Sequence, residues 1–186
     1  KYKLKTFEFS VAYLAFFDKL ERSNFFLSLI IKNRKDPENS RFNDTFLKEP
    51  ISDGGNWNMI LNLINKYGLI PRNCFNESEH SKNTNEIDNF LNNKLRDYAF
   101  VIRNLPDKDF KHINSLLKQF MNEIYRILVI FMGEPPKEFD WEYLNNDKYN
   151  ILKNLTPLKF YKKHVPIKLD DYILLTDNPI LKYNTR

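Results

Sequence analysis

Four glycines, three histidines and one cysteine are few for a chain of 186 residues, and each shortage excludes something. The lone Cys74 cannot form an internal disulfide, so a stapled secreted scaffold is ruled out. Three scattered histidines with that single thiol do not make a Cys/His zinc site, and neither a metal nor any other cofactor is expected. The longest apolar run, residues 11–17, falls far short of the roughly 20 residues a membrane span requires. No membrane partner follows. The N-terminus lacks a signal-peptide pattern, and with so little cysteine the chain reads as cytoplasmic. Lys1 is not an initiator Met, which fits a start inside a longer protein.

No sign of charge dominates either. Lys and Arg number 29 against 24 Asp and Glu, and the resulting +5 is spread along the chain instead of forming a basic block. What is plentiful is apolar and aromatic: 42% hydrophobic residues, with sixteen Phe and ten Tyr, enough for a packed core or a subunit interface. Asn-x-Ser/Thr acceptors at Asn43, Asn76 and Asn154 read as coincidence in an Asn-rich chain.

Hydrophobic spacing predicts a mainly α chain. Thr6 can cap a long helix carrying Phe9, Tyr13, Phe16, Leu20 and Leu27. A break at Asp36-Pro37-Glu38-Asn39-Ser40 precedes a short helix over residues 41–47, and a further helix runs from Trp57 to a stop at Gly68. Residues 73–84 read as irregular. Ile87, Leu91, Leu95, Tyr98 and Ile102 then predict one long helix, and Phe110, Ile113, Leu117, Phe120, Ile124 and Leu128 another. Pro106-Asp107 between them makes an antiparallel pair. Asn145-Asn146-Asp147 between Phe139-Asp140-Trp141-Glu142-Tyr143 and residues 149–152 signals a small β-hairpin. Thr156-Pro157 opens a short helix to His164, and residues 172–175 could form a strand.

Two of the four glycines stand together in Asp53-Gly54-Gly55-Asn56-Trp57-Asn58-Met59. Gly-Gly alone is most simply a turn before a helix. A peptide substrate, however, can pair with backbone only where no side chain intervenes, and glycine provides that access. The full Asp-Gly-Gly-x-Trp context favours the second reading. With Phe7-Glu8-Phe9-Ser10, Lys66-Tyr67-Gly68-Leu69-Ile70-Pro71, Tyr125-Arg126-Ile127-Leu128 and Gly133-Glu134-Pro135-Pro136, the chain resembles the interior of the bleomycin hydrolase and aminopeptidase C family of papain-like cysteine peptidases.

The resemblance implies the helical part of a papain-like α+β peptidase. Residues 1–80 would be part of the helical lobe with the Gly-Gly substrate loop, residues 81–135 an antiparallel helical insertion, and residues 136–186 the hairpin and short helix leading to a second lobe. It implies a cysteine-type aminopeptidase: a thiolate attacks the peptide carbonyl, a His shuttles the proton, and water releases the acyl-enzyme. The family's nucleophile, in a Gly-x-Cys-Trp setting, would lie before Lys1, and its His and Asn after Arg186. No catalytic residue is therefore assigned in this chain, which is expected to be a fragment, inactive alone. The substrate-binding residues carried over are Gly55, which binds peptide backbone, Gly54, which shapes the turn, and Asn56 and Trp57 near the pocket wall. The family usually has Gln at Asn56, Asp at Asn58 and Pro at Asn76. It also implies a hexamer with active sites facing an internal channel, so a peptide substrate and like subunits are the expected partners.

Other chemistry is weaker. Cys74 sits in a loop-like stretch with no helix start to lower its pKa, and reads as structural or merely exposed. Glu77-x-x-His80 has one-face spacing but lacks the second copy a di-iron bundle requires. His112 and His164 read as surface or structural. Lys159-Phe160-Tyr161-Lys162-Lys163-His164 could bind nucleic acid, but solvated helix faces explain the same residues. The rival class is a non-catalytic helical interaction module derived from the peptidase.

Overall fold

The computed structural model describes residues 2–37, 40–52, 54–106 and 110–175. In order they form α1 (Val11–Lys32), α2 (Arg41–Lys48), α3 (Trp57–Tyr67), a 3-10 turn (Arg72–Cys74), α4 (Glu79–Lys82), α5 (Asn85–Arg103), α6 (Phe110–Met132), β1 (Phe139–Asn145), β2 (Lys148–Leu155), α7 (Pro157–His164) and a second 3-10 turn (Leu169–Asp171). The fold is mainly α with one small antiparallel sheet, as the hydrophobic spacing predicts. Glu38, Asn39, Asp53, Asp107 and residues 176–186 of the predicted breaks and C-terminal region lie outside the described residues.

The start of α1 differs from the expectation. Ser10, not Thr6, is the N-cap: its Oγ accepts from the Tyr13 N–H at 3.1 Å and donates to the Phe75 carbonyl at 2.6 Å. Phe9 lies before the helix in an antiparallel bridge with Pro71, flanked by Ser10 N–H to Ile70 O and Arg72 N–H to Glu8 O, both 2.9 Å. Pairing with a segment sixty residues away overrides the local capping signal. Residues 73–84 are also more regular than predicted, with the Arg72–Cys74 turn and the Ser78-capped α4. Residues 172–175 form no strand; the only sheet among the described residues is β1–β2, and they are not part of it.

Helix α1 contributes to two cores. Phe16, Phe26, Leu27 and Ile30 pack with Ile87, Leu91, Leu95 and Ile102 of α5 and with Phe120, Ile124, Leu128 and Met132 of α6. Tyr98 stacks on Phe120 at 4.0 Å while Phe90 lies 5.9 Å from Phe131, so α5 and α6 run antiparallel. Arg96 ties down the end of α2, donating to the Leu47 and Lys48 carbonyls at 2.7 and 2.6 Å. Asn43 is fully buried, its amide donating to the Pro37 carbonyl at 2.6 Å, so this acceptor is closed to glycosylation.

The second core joins Tyr13, Ile64, Leu69 and Ile70 to Phe139, Trp141, Leu155, Phe160 and Tyr161. Its hairpin is set by Asn146 and Asp147, with φ of 50° and 60°, the two-residue turn whose twist matches paired strands. A bulge follows: Asn154 takes φ 54° and donates its N–H to Asp140 Oδ1 at 2.8 Å.

Gly68 joins the two parts of this core. It ends α3 with φ 81° and ψ −163°, outside the left-handed helical well that a simple stop would use. A β-carbon there would lie 2.3 Å from the Pro157 backbone carbon, and the next residue, Leu69, donates to the Pro157 carbonyl at 3.3 Å. We expect Gly68→Ala to lower stability by about 2–4 kcal/mol, read as the urea midpoint, because backbone strain and overpacking act together. Gly54→Ala, where nothing lies within 4 Å of the added carbon, should leave the midpoint unchanged.

Candidate functional site

The segment between Ile51 and α3 carries the sequence-predicted site. Ile51 is anchored by its N–H, which donates to Asn92 Oδ1 at 2.8 Å, and α3 begins when Asn56 Oδ1 accepts from the Met59 N–H at 3.2 Å. Asn56 is thus a helix cap. Gly54, Gly55 and Asn56 are exposed, and Trp57 is half-buried. The Trp57 indole N–H is shielded from solvent with no hydrogen-bond partner, and its ring lies 6.3 Å from Tyr172.

One side chain fastens this loop, and sequence reasoning missed it. Arg22 of α1 donates through Nε to Asp18 Oδ2 at 2.7 Å and through Nη2 to the Gly54 carbonyl at 2.7 Å; its Nη1 reaches Ser52 Oγ at 3.5 Å. The i,i+4 spacing of Asp18 and Arg22 is visible in the sequence, but not that the pair faces this loop. The Gly55 N–H and C=O have no partner among the described residues.

A cleft of about 590 Å³ opens between α1, the end of α2 and α3. Phe25, Phe26, Phe46, Met59 and Leu63 form its apolar walls, with Ser52 and Arg22 on the side of the loop; the four predicted site residues do not line it. Glu21 and Lys66 pair across its edge at 2.5 Å, and Tyr67 also donates to Glu21. Burial works against the Glu21 carboxylate, but the bonds from Lys66 and Tyr67 prevail and hold its pKa below the ordinary value. Tyr67 is pushed up to about 12 by burial and by that same carboxylate. These groups are locked in their charge states and offer no acid or base near neutrality.

Cys74 is a poor nucleophile. Its Sγ contacts the Asp140 carbonyl at 3.6 Å and Asn73 Oδ1 at 3.8 Å, with no histidine partner. Burial, then the negative charge of Asp140 and Glu142, push its pKa up to about 11. His80 instead faces Glu86 at 3.5 Å and packs edge-on against Phe131. His164 accepts or donates at 2.5 Å with the Tyr2 hydroxyl, and His112 is exposed on α6. Among the described residues no cluster of three or more His, Cys, Asp or Glu side chains could hold a metal ion. On α7, Phe160 and Tyr161 are buried, so the aromatics interleaved with Lys159, Lys162 and Lys163 are not free to stack on bases. No helix among the described residues is long and apolar enough to cross a membrane.

The sequence model of the Peptidase C1-like family matches residues 1–185, and the chain belongs to that family. It is 38% identical to bleomycin hydrolase of Mus musculus over 96% of this chain and 41% of that protein. It is 40% identical to aminopeptidase G of Lactobacillus delbrueckii subsp. lactis, over 98% of this chain and 42% of that protein. The crystal structure of PepW from Lactobacillus rhamnosis HN001 superposes with a TM-score of 0.88 at 40% identity, over 91% of this chain and 39% of that one. The chain therefore spans less than half the length of most of the curated relatives it matches.

Because the Cys74 pKa stands near 11 against an ordinary 9.0, its thiolate fraction at pH ~8 is smaller about a hundredfold. Iodoacetamide should therefore alkylate it tens to roughly a hundredfold more slowly than a free thiol, followed by mass spectrometry. A rate equal to the free thiol's would show that the thiol is not suppressed, and a faster one would mark an activated nucleophile.

Proposed function

We propose that this chain is the part of a papain-like cysteine aminopeptidase of the bleomycin hydrolase type that presents bare backbone to a peptide substrate. Chemistry in that reading is hydrolysis of N-terminal residues through a thiolate acyl-enzyme. The nucleophile and its base come from outside this chain, and the chain is a fragment without activity of its own. Cytoplasmic location, hexameric assembly and the division at residues 80 and 135 belong to the same reading.

The observation that carries it is what the two glycines do not do. Neither Gly54 nor Gly55 has a positive φ. A β-carbon on Gly54 would meet nothing within 4 Å, and one on Gly55 would meet only Arg22 Nη2, at 3.4 Å. The internal packing thus gives no reason for glycine at either position. An approaching backbone does, and Gly55 leaves an N–H and a C=O free to pair with it. Asn56 and Trp57 stand beside this opening as its flank, Asn56 by capping α3.

Two measurements test the reading. A fluorogenic aminopeptidase assay on the purified chain should show no turnover above background, with or without iodoacetamide; thiol-sensitive turnover would overturn the assignment of the nucleophile to another part of the protein. In the full-length gene product, Gly55→Ala should raise KM for peptides about tenfold, the loss of roughly one to two backbone hydrogen bonds, while the thermal midpoint stays put. An unchanged KM would remove Gly55 from the substrate site.

A further inference from the structure

Few bonds hold the described residues of the loop that bears Gly55. Between Ile51, bonded to Asn92, and Asn56, which caps α3, the described residues Ser52, Gly54 and Gly55 make no hydrogen bond except those from Arg22. Two adjacent glycines have the most backbone freedom to lose, and fixing each residue opposes order by about 1–2 kcal/mol. A loop so composed would sample many orientations of its free N–H and C=O. Binding a peptide would then have to supply the ordering, weakening affinity by that amount.

Arg22 supplies what the loop lacks. Its side chain is 14% exposed and lies on α1, which packs into both cores, so its own position is set by them. Asp18, one turn earlier, takes Nε and fixes the plane of the guanidinium. That orientation aims Nη2 at the Gly54 carbonyl, the peptide group immediately before Gly55. Because that carbonyl and the Gly55 N–H belong to one rigid planar unit, fixing the first aims the second.

We propose that Arg22 is a positioning residue for peptide binding, holding the Gly54 carbonyl so that the Gly55 N–H stays directed toward a substrate backbone. The role rests on the reading that Gly55 binds substrate. It requires a fork: one nitrogen for Asp18 and a second for Gly54. A lysine, with one nitrogen and no plane, can keep the charge but not both directions. Asp18 in turn keeps the guanidinium neutralised, so what Arg22 contributes at the loop is direction, with no free positive charge left to attract ligands.

The test uses the full-length gene product with Arg22→Lys, Gly55→Ala and the double variant, comparing kcat, KM and thermal midpoint on one peptide substrate. Arg22→Lys should raise KM about tenfold with kcat within about twofold and the midpoint within a few degrees, the pattern of lost binding shared by ground and transition states. The double variant should be little worse than either single one, since both act through one peptide group. If Gly55→Ala raises KM and Arg22→Lys does not, the positioning role is overturned while the loop keeps its substrate role. If Arg22→Lys lowers the midpoint and leaves KM unchanged, Arg22 only staples the fold, which also overturns the proposal. An unchanged KM in Gly55→Ala instead removes the underlying reading of the loop.

Discussion

Helix α1 is buried on two sides, and that constraint governs where everything else can go. Phe16, Phe26, Leu27 and Ile30 face the α5–α6 core, Tyr13 faces the hairpin core, and Phe17 touches both. A helix used in this way has little surface left for polar groups, and those caught inside must find partners. Lys19, 4% exposed, pairs with Asp88 of α5, and the buried Ser23 hydroxyl donates back to the Lys19 carbonyl at 2.7 Å. An unpaired charge there would cost several kcal/mol, so the pair specifies the rotation of α1 against α5 as strictly as the apolar packing does. Once that rotation is set, Asp18, Glu21 and Arg22 have only the strip facing α3 and the Gly-Gly loop.

The polar strip then works as a rigid edge against which the softer parts are arranged. Glu21 collects Lys66 and Tyr67 from α3, Tyr67 stacks on Phe17 at 3.9 Å, and its carbonyl accepts from the Tyr13 hydroxyl at 2.8 Å. These contacts fix α3 along its length. Arg22 extends the same edge to the loop before α3. The exposed loop of the site is in this way referred back to a helix packed into both cores, the arrangement by which a loop can present backbone groups in a constant direction.

The glycines divide along the same line. Gly68 and Gly133 both take positive φ, and Gly68 lets the Pro157 backbone come within 2.3 Å of where a β-carbon would stand. Those two are demanded by the fold. Gly54 and Gly55 are not, and a residue type that internal structure does not require points outward to what the surface meets. The surroundings of Cys74 point the other way: burial, with the charges of Asp140 and Glu142, suppresses the only thiol.

Much of this was legible in the sequence alone. Helical spacing located α1, α2, α3, α5 and α6, the Asn-Asn-Asp turn located the hairpin, and Thr156-Pro157 located α7, because each signal is local and the chain satisfies it within a few residues. The motif residues identified the family and drew attention to Gly54, Gly55, Asn56 and Trp57. What failed or stayed hidden was nonlocal. Thr6 lost the cap to Ser10 because the preceding segment pairs with residues 70–72, and residues 172–175 formed no strand because no described strand lies alongside them. Nothing in the local sequence singled out Arg22. Its hold on Gly54 exists only because packing turns α1 so that residue 22 meets a loop thirty positions later, a direction that no local pattern encodes.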